Sequence, residues 1–351
     1  MRRRLTIVVV AVLAIVLVAA AVVVGVRWWR DDRTAFQQAS GYAPADAQRL
    51  SWTDWSAIRH RVGAHLDADS SRSEVKSFLD DAFDDDLSSA SALVESAPVL
   101  QADFGFSPAS VDWELFSQSD QGAAVVLRVP DADLDDIADH LEEAGFDKPS
   151  SEDGVWSGGE SLLPRIGANL TPELQYVALD RDDGLVLTSD SSAYLEQVVD
   201  DLGDDEIPGP MQDVVAASGD ALTATVYDGD EACAALAMTQ ADADDRATAE
   251  RLVEEAGRVN PMTAYAMSVQ PGGHVRVVLA FDDDEQARTN ADTRSKLAAG
   301  PAPGQGGTFG DRFSVVSATA NGDLATLELD PVSGSYVFSD LANGPVLFAT
   351  C

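Results

Sequence analysis

The most constraining feature of this chain is a run without a single charge from Leu5 to Val26, preceded by Arg2, Arg3 and Arg4 and closed by Arg27, Trp28, Trp29 and Arg30. At about 1.5 Å rise per residue the run makes a helix of roughly 33 Å, enough to cross a hydrocarbon core of about 30 Å. The competing reading is a cleaved signal peptide, whose apolar region usually spans about 7 to 15 residues before a small-x-small site. Ala19, Ala20 and Ala21 resemble such a site, but five further uncharged residues follow them, and the length favours an uncleaved anchor. Arginines crowd the short end without an acid among them, which sets the N-terminus in the cytoplasm and the long C-terminal part outside. Trp28 and Trp29 fit the aromatic belt at headgroup level.

Composition bounds what the exported part can do. Residues 1–30 hold five Arg and no acid, so the remainder carries 18 basic and 60 acidic side chains, a net charge of −42. Such a surface repels nucleic acid and anionic lipid alike, and nucleic-acid binding is excluded. With hydrophobic residues at 45% of the whole chain and recurrent periodic segments, the exported part is too apolar for a disordered acidic tail and is expected to bury a core. Only Cys233 and Cys351 are present. In an oxidising compartment an even pair reads as a disulfide, which would stabilise by about 4 to 5 kcal/mol in the chain-entropy model. The alternative is two unrelated thiols, with Cys233 filling a small space among alanines.

The chain divides into a tail and transmembrane helix over 1–30, a polar stalk over 31–51, a first unit over 52–206 and a second over 211–351, with Ile207-Pro208-Gly209-Pro210 as linker. Residues 52–120 read as helices leading into a sheet, with Ser71 and Glu74 as a capping box before Val75, Phe78, Leu79 and Phe83. A strand at 123–129, a helix from Leu134 with an apolar stripe through Leu141, a hairpin over 176–188 and a helix through Leu202 follow. The second unit repeats the scheme. It has a strand at 222–227, helices at 230–238 and 245–256, a hairpin over 264–281 and a helix ending at Ala298. A Gly- and Pro-rich loop at 300–307 and a hairpin over 313–329 complete it. Strands broken up by helices and joined as hairpins argue for α+β architecture with mixed or antiparallel sheets and helices packed on them, in two similar units.

The anchor, the strand-helix-hairpin pattern with Gly184-Leu185-Val186-Leu187-Thr188-Ser189-Asp190, the stretch Gly300–Gly307 and the ending Gly344-Pro345-Val346-Leu347-Phe348-Ala349-Thr350-Cys351 resemble a family of anchored envelope proteins from high-GC Gram-positive bacteria. The resemblance covers most of the exported region. It implies the topology and supports the cysteine pair; the family has no assigned activity, so it transfers no catalytic residue.

No catalytic, cofactor or metal motif emerges. Asp131, Asp133 and Asp135, with Glu142 eleven residues after the first, mimic an EF-hand loop, yet the sixth position is Asp136 rather than Gly and the segment has helical periodicity. Asp228 with Asp230, and Asp282 through Glu285, read as solvated turns, leaving at most weak, diffuse association of divalent cations with the acidic surface. His60, His65, His140 and His274 lack zinc-site spacing. There is no G-x-S-x-G, P-loop or dinucleotide fingerprint, and Pro301 and Pro303 remove donors that a phosphate cradle needs. The leading expectation is a membrane-tethered, non-enzymatic ectodomain that binds an envelope protein or a small ligand. An envelope hydrolase using carboxylates and a purely structural envelope protein are the alternatives.

Overall fold

Arg49-Leu50-Ser51-Trp52-Thr53 alternates side chains between two faces with a period of two, as a strand must, and it lies in the middle of the molecule as β1 (Arg49–Thr53). The structure, a computed structural model, describes residues 33–129, 134–151, 154–203 and 206–351. The expected anchor over 5–26, with Arg2, Arg3, Arg4, Arg27, Trp28, Trp29 and Arg30, lies outside the described residues. Among the described residues no helix is long and apolar enough to cross a membrane.

The remaining strands are β2 (Trp113–Gln118), β3 (Ala123–Arg128), β4 (Trp156–Ser157), β5 (Tyr176–Asp180), β6 (Leu185–Ser189), β7 (Thr223–Asp228), β8 (Ala264–Val269), β9 (Val275–Ala280), β10 (Phe313–Asn321) and β11 (Leu324–Pro331). They form one eleven-stranded sheet in the order β10-β11-β9-β8-β7-β1-β2-β3-β6-β5-β4. Every ladder is antiparallel, so of the expected mixed or antiparallel arrangements the second holds. Outward from the centre the order is β1-β2-β3-β6-β5 on one side and β7-β8-β9-β11-β10 on the other, the same succession in both halves. β1 pairs with β7 with Ser51 opposite Thr225, which fuses the halves into one sheet.

Helices cover both faces. On one, α1 (Ala35–Ala39) and α6 (Gly209–Ser218) bring Phe36, Met211, Val214 and Val215 onto Leu50, Trp52, Ala224 and Val226. Beside them α5 (Ser192–Asp200) packs Tyr194, Leu195 and Val198 on Ala124, Val126 and Leu187. The other face carries α2 (Trp55–Val62), α3 (Arg72–Asp84), α4 (Leu134–Ala144) and α9 (Asp284–Ala298) over Val125, Leu127, Val177, Met267, Val277 and Leu279. α7 (Gly229–Ala235) and α10 (Val337–Leu341) join this layer, and α8 (Ala243–Ala256) rests against α9.

Local signals explain much of this. Ser71 and Glu74 form the capping box of α3, and Val75, Phe78 and Leu79 are buried. Phe83, expected on the same stripe, is instead 54% exposed and lies 5.3 Å from the Tyr336 ring. Residues 31–51, expected as a stalk, hold α1 and the start of β1, with Phe36 and Leu50 buried. The expected linker contains buried Ile207 and leads directly into α6, where Pro210 occupies the first turn, a position that needs no N–H donor. Asp86, in the left-handed region at φ 60°, accepts hydrogen bonds from the backbone N–H of Phe338 (2.7 Å) and Ser339 (3.0 Å). A carboxylate of the first half thereby caps α10 of the second.

Candidate functional site

Beyond β7 the side chain of Asp228 accepts from the N–H of Glu231 at 2.7 Å and starts α7, which carries Cys233. The chain returns to this helix at its far end: Val346 N–H donates to Leu236 C=O at 2.8 Å, and Met238 N–H to Thr350 Oγ1 at 3.3 Å. Cys233 and Cys351 are joined in a disulfide with Cα atoms 5.6 Å apart. The two cysteines singled out in the sequence thus close one structural element.

Arg294 of α9 holds that element from beneath. Its guanidinium, fully buried, donates to Phe348 C=O (2.7 Å), Thr350 C=O (2.9 Å), Asn260 C=O (2.7 Å) and Asn290 Oδ1 (3.0 Å), and stands 5.6 Å from the centre of the Phe281 ring. These four acceptors are uncharged, so burial is met by dipoles rather than a counter-ion. Burial pushes its pKa down to about 9, which leaves it protonated at neutral pH.

Between this anchored segment and α8 lies a cavity of about 300 Å³. Ala237, Met238, Ala249, Val253 and Val259 give it apolar walls, Thr350 and Cys351 close one side, and Thr239, Arg246 and Glu250 stand at its rim. α8 buries only Ala249 fully, and Leu252, Val253 and Ala256 remain partly exposed on its inner side. A fourteen-residue helix so lightly packed is a roof more than a core element. The cavity has the size and apolar character of a small-ligand pocket with a few polar groups, and its lining presents no nucleophile paired with a base. Sequence patterning marked α8 only as a helix and gave no signal for Arg294 or the cavity, because the walls come from three separated segments.

Elsewhere the acids are structurally employed. Burial raises the pKa of Asp54, Asp86, Glu114 and Asp228. Asp54 caps α2, Asp86 caps α10 and Asp228 caps α7. Glu114, opposite Thr53 in the β1–β2 ladder, accepts from Trp55 Nε1 (3.0 Å), Ser91 Oγ (2.6 Å) and Ala92 N–H (2.6 Å). These carboxylates hold separate element junctions rather than converging on one cleft. A second cavity, of about 440 Å³, opens between the β5–β6 hairpin and α5 and is lined by Asp180, Asp182, Asp183 and Asp200. Asp180 Oδ1 is engaged by the N–H groups of Asp182 and Asp183.

The other expected features resolve similarly. Asp131 and Asp133 lie outside the described residues; Asp135 pairs with Arg181 at 2.8 Å and Glu142 with Lys148 at 3.6 Å. Asp283 caps α9. His60 and His140 sit on α2 and α4, His65 follows α2, and His274 lies in the β8–β9 turn. Among the described residues no three metal-ligating side chains gather as a metal site would require. The loop 300–307 folds on itself, with Ala302 N–H donating to Gly307 C=O and Arg312 binding Gln305 C=O at 2.7 Å.

No family model matches the chain, and no curated protein matches it in sequence. Among solved structures it is similar to TP0453 in crystal forms I, IV and III, at 7%, 8% and 8% identity and TM-scores of 0.39, 0.39 and 0.36. The matches cover 86%, 85% and 86% of this chain and 96%, 94% and 96% of the other. A likeness of that degree carries no argument about activity.

Proposed function

We propose that this chain is an extracytoplasmic binding protein, tethered by a single membrane helix over residues 5–26 with its N-terminus inside, that takes a small apolar ligand in the cavity beneath α8. The observation that carries this reading is the apolar cavity of about 300 Å³ roofed by a lightly packed helix and walled by a disulfide-tied segment. The bridge supports an oxidising compartment, since cytosolic thiols are kept reduced. The net charge of −37 argues against nucleic-acid partners. Apolar walls, with Thr350 and Cys351 closing one side and Arg246, Glu250 and Thr239 at the mouth, suit retention of a greasy group with a polar end outside, not acid–base chemistry.

The test is photolabelling of the full chain in isolated membranes with a diazirine-bearing short alkyl amide, followed by peptide mapping. Label is expected on Met238, Val253 and Val259. It should disappear in Ala249→Phe and Val253→Trp, which fill the cavity, while their thermal midpoints stay within a few degrees of the parent. Labelling spread evenly over the surface, or unchanged in the filled variants, refutes the reading.

A further inference from the structure

We infer that the open edge of β10 is an isologous docking strand at which a second copy of this chain adds its own β10, joining two sheets into one. This rests on the sheet alone and stands apart from the cavity.

The fold contains its own precedent. Counting outward from the centre, β5 and β10 occupy equivalent places, yet β5 is covered by β4, with Trp156 opposite Val177 and Ser157 opposite Tyr176. Beyond β10 the corresponding place is vacant among the described residues. The stretch between α9 and β10, which would have to supply the missing strand, closes on itself through the Pro301–Thr308 bridge.

The edge also lacks the charges and Pro that most edges carry. Native edge strands are short, charged, or interrupted by Pro, whereas β10 is nine residues long, Phe-Ser-Val-Val-Ser-Ala-Thr-Ala-Asn, with no charge and no Pro. It is guarded by α9, packed along one face, and by a bulge between Val315 and Ser317 that leaves Val316 61% exposed; its outer hydrogen-bonding edge stays open. From Ser317 to Asn321 the register is regular.

Charge selects the occupant. In a chain of net charge −37 most surfaces brought against their own copies oppose carboxylate to carboxylate; this edge does not. A basic partner strand would find no acid on β10 to pair with; of the two acids on the neighbouring strand, Glu328 is bound to Arg276 at 2.7 Å and Asp330 lies 3.4 Å from His274 Nδ1. A two-fold axis pairs a strand with itself antiparallel, the sense of every ladder in this sheet. Centred on Thr319, the pairing sets Thr319 against Thr319, Ala318 against Ala320 and Ser317 against Asn321. A Thr–Thr pair is favourable across strands, and the flanking Ala–Ala pairs bring no clash or charge.

Both native cysteines are in the disulfide, so an introduced thiol is uniquely reactive. Full-length Thr319→Cys in membranes, treated with a short bis-maleimide, is expected to give covalent dimer. Thr326→Cys, one strand inward on β11, is expected to give little. Adding Val316→Glu to Thr319→Cys should abolish the dimer while the thermal midpoint holds. In parallel, sedimentation of the unmodified chain in density-matched detergent should report two chains per particle, and one for Val316→Glu/Thr319→Glu. A single chain per particle for the parent, or equal crosslinking at 319 and 326, overturns the inference.

Discussion

Glu114 shows how a single side chain reports on the junction between β1 and the helices that follow it. Three donors face its carboxyl, yet burial outweighs them and holds its pKa above the ordinary glutamate value of 4.5. A carboxyl with a raised folded pKa contributes stability fully below its unfolded pKa and loses it as pH rises through the folded value. Glu114→Gln, neutral at every pH, removes that dependence. The stability of the parent relative to this variant is therefore expected to be greatest near about pH 4 and to shrink toward neutrality, measured as the difference in thermal midpoint across the range. A difference independent of pH would contradict the assignment.

At the scale of elements, the bridge and Arg294 secure the same final segment by different means. The disulfide closes 118 residues, and its loss by Cys233→Ser with Cys351→Ser is expected to cost about 2–5 kcal/mol. Arg294→Lys removes the planar fork that serves Phe348 and Thr350 together and leaves buried carbonyls short of donors, at about 1–3 kcal/mol. Because both act on one segment, their combined cost should fall short of the sum in a denaturant double-mutant cycle; strict additivity would show that the anchors are independent. Elements with clear local chemistry were legible in the sequence. The β5–β6, β8–β9 and β10–β11 hairpins, α4 and the α3 capping box declare themselves by turn residues, stripes and caps. β1 and β2 did not, because on the face toward α2 the polar Arg49, Ser51, Thr53, Glu114 and Gln118 outnumber Phe116 and blur the apolar alternation. Nor did α6, hidden behind a Pro-Gly-Pro run that reads as a linker. The cavity was invisible for a different reason: Met238, Val253 and Thr350 meet only through the tertiary fold.

For the molecule as a whole, the join between β1 and β7 decides whether its halves can exist apart. A chain ended after residue 206 keeps β1 but loses β7 and α6, baring a central strand edge and the apolar side chains of Leu50 and Trp52. Such a fragment is expected to aggregate where the full chain does not, as light scattering would show; a folded monomeric fragment would prove the halves autonomous. The same join sets a timetable. A ribosome adding about 5–20 residues per second needs roughly 10 to 35 s to travel from Thr53 to Asp228. For that interval the nascent first half carries a sticky, half-finished seam, so it needs a chaperone's shelter or delayed collapse until its mate emerges.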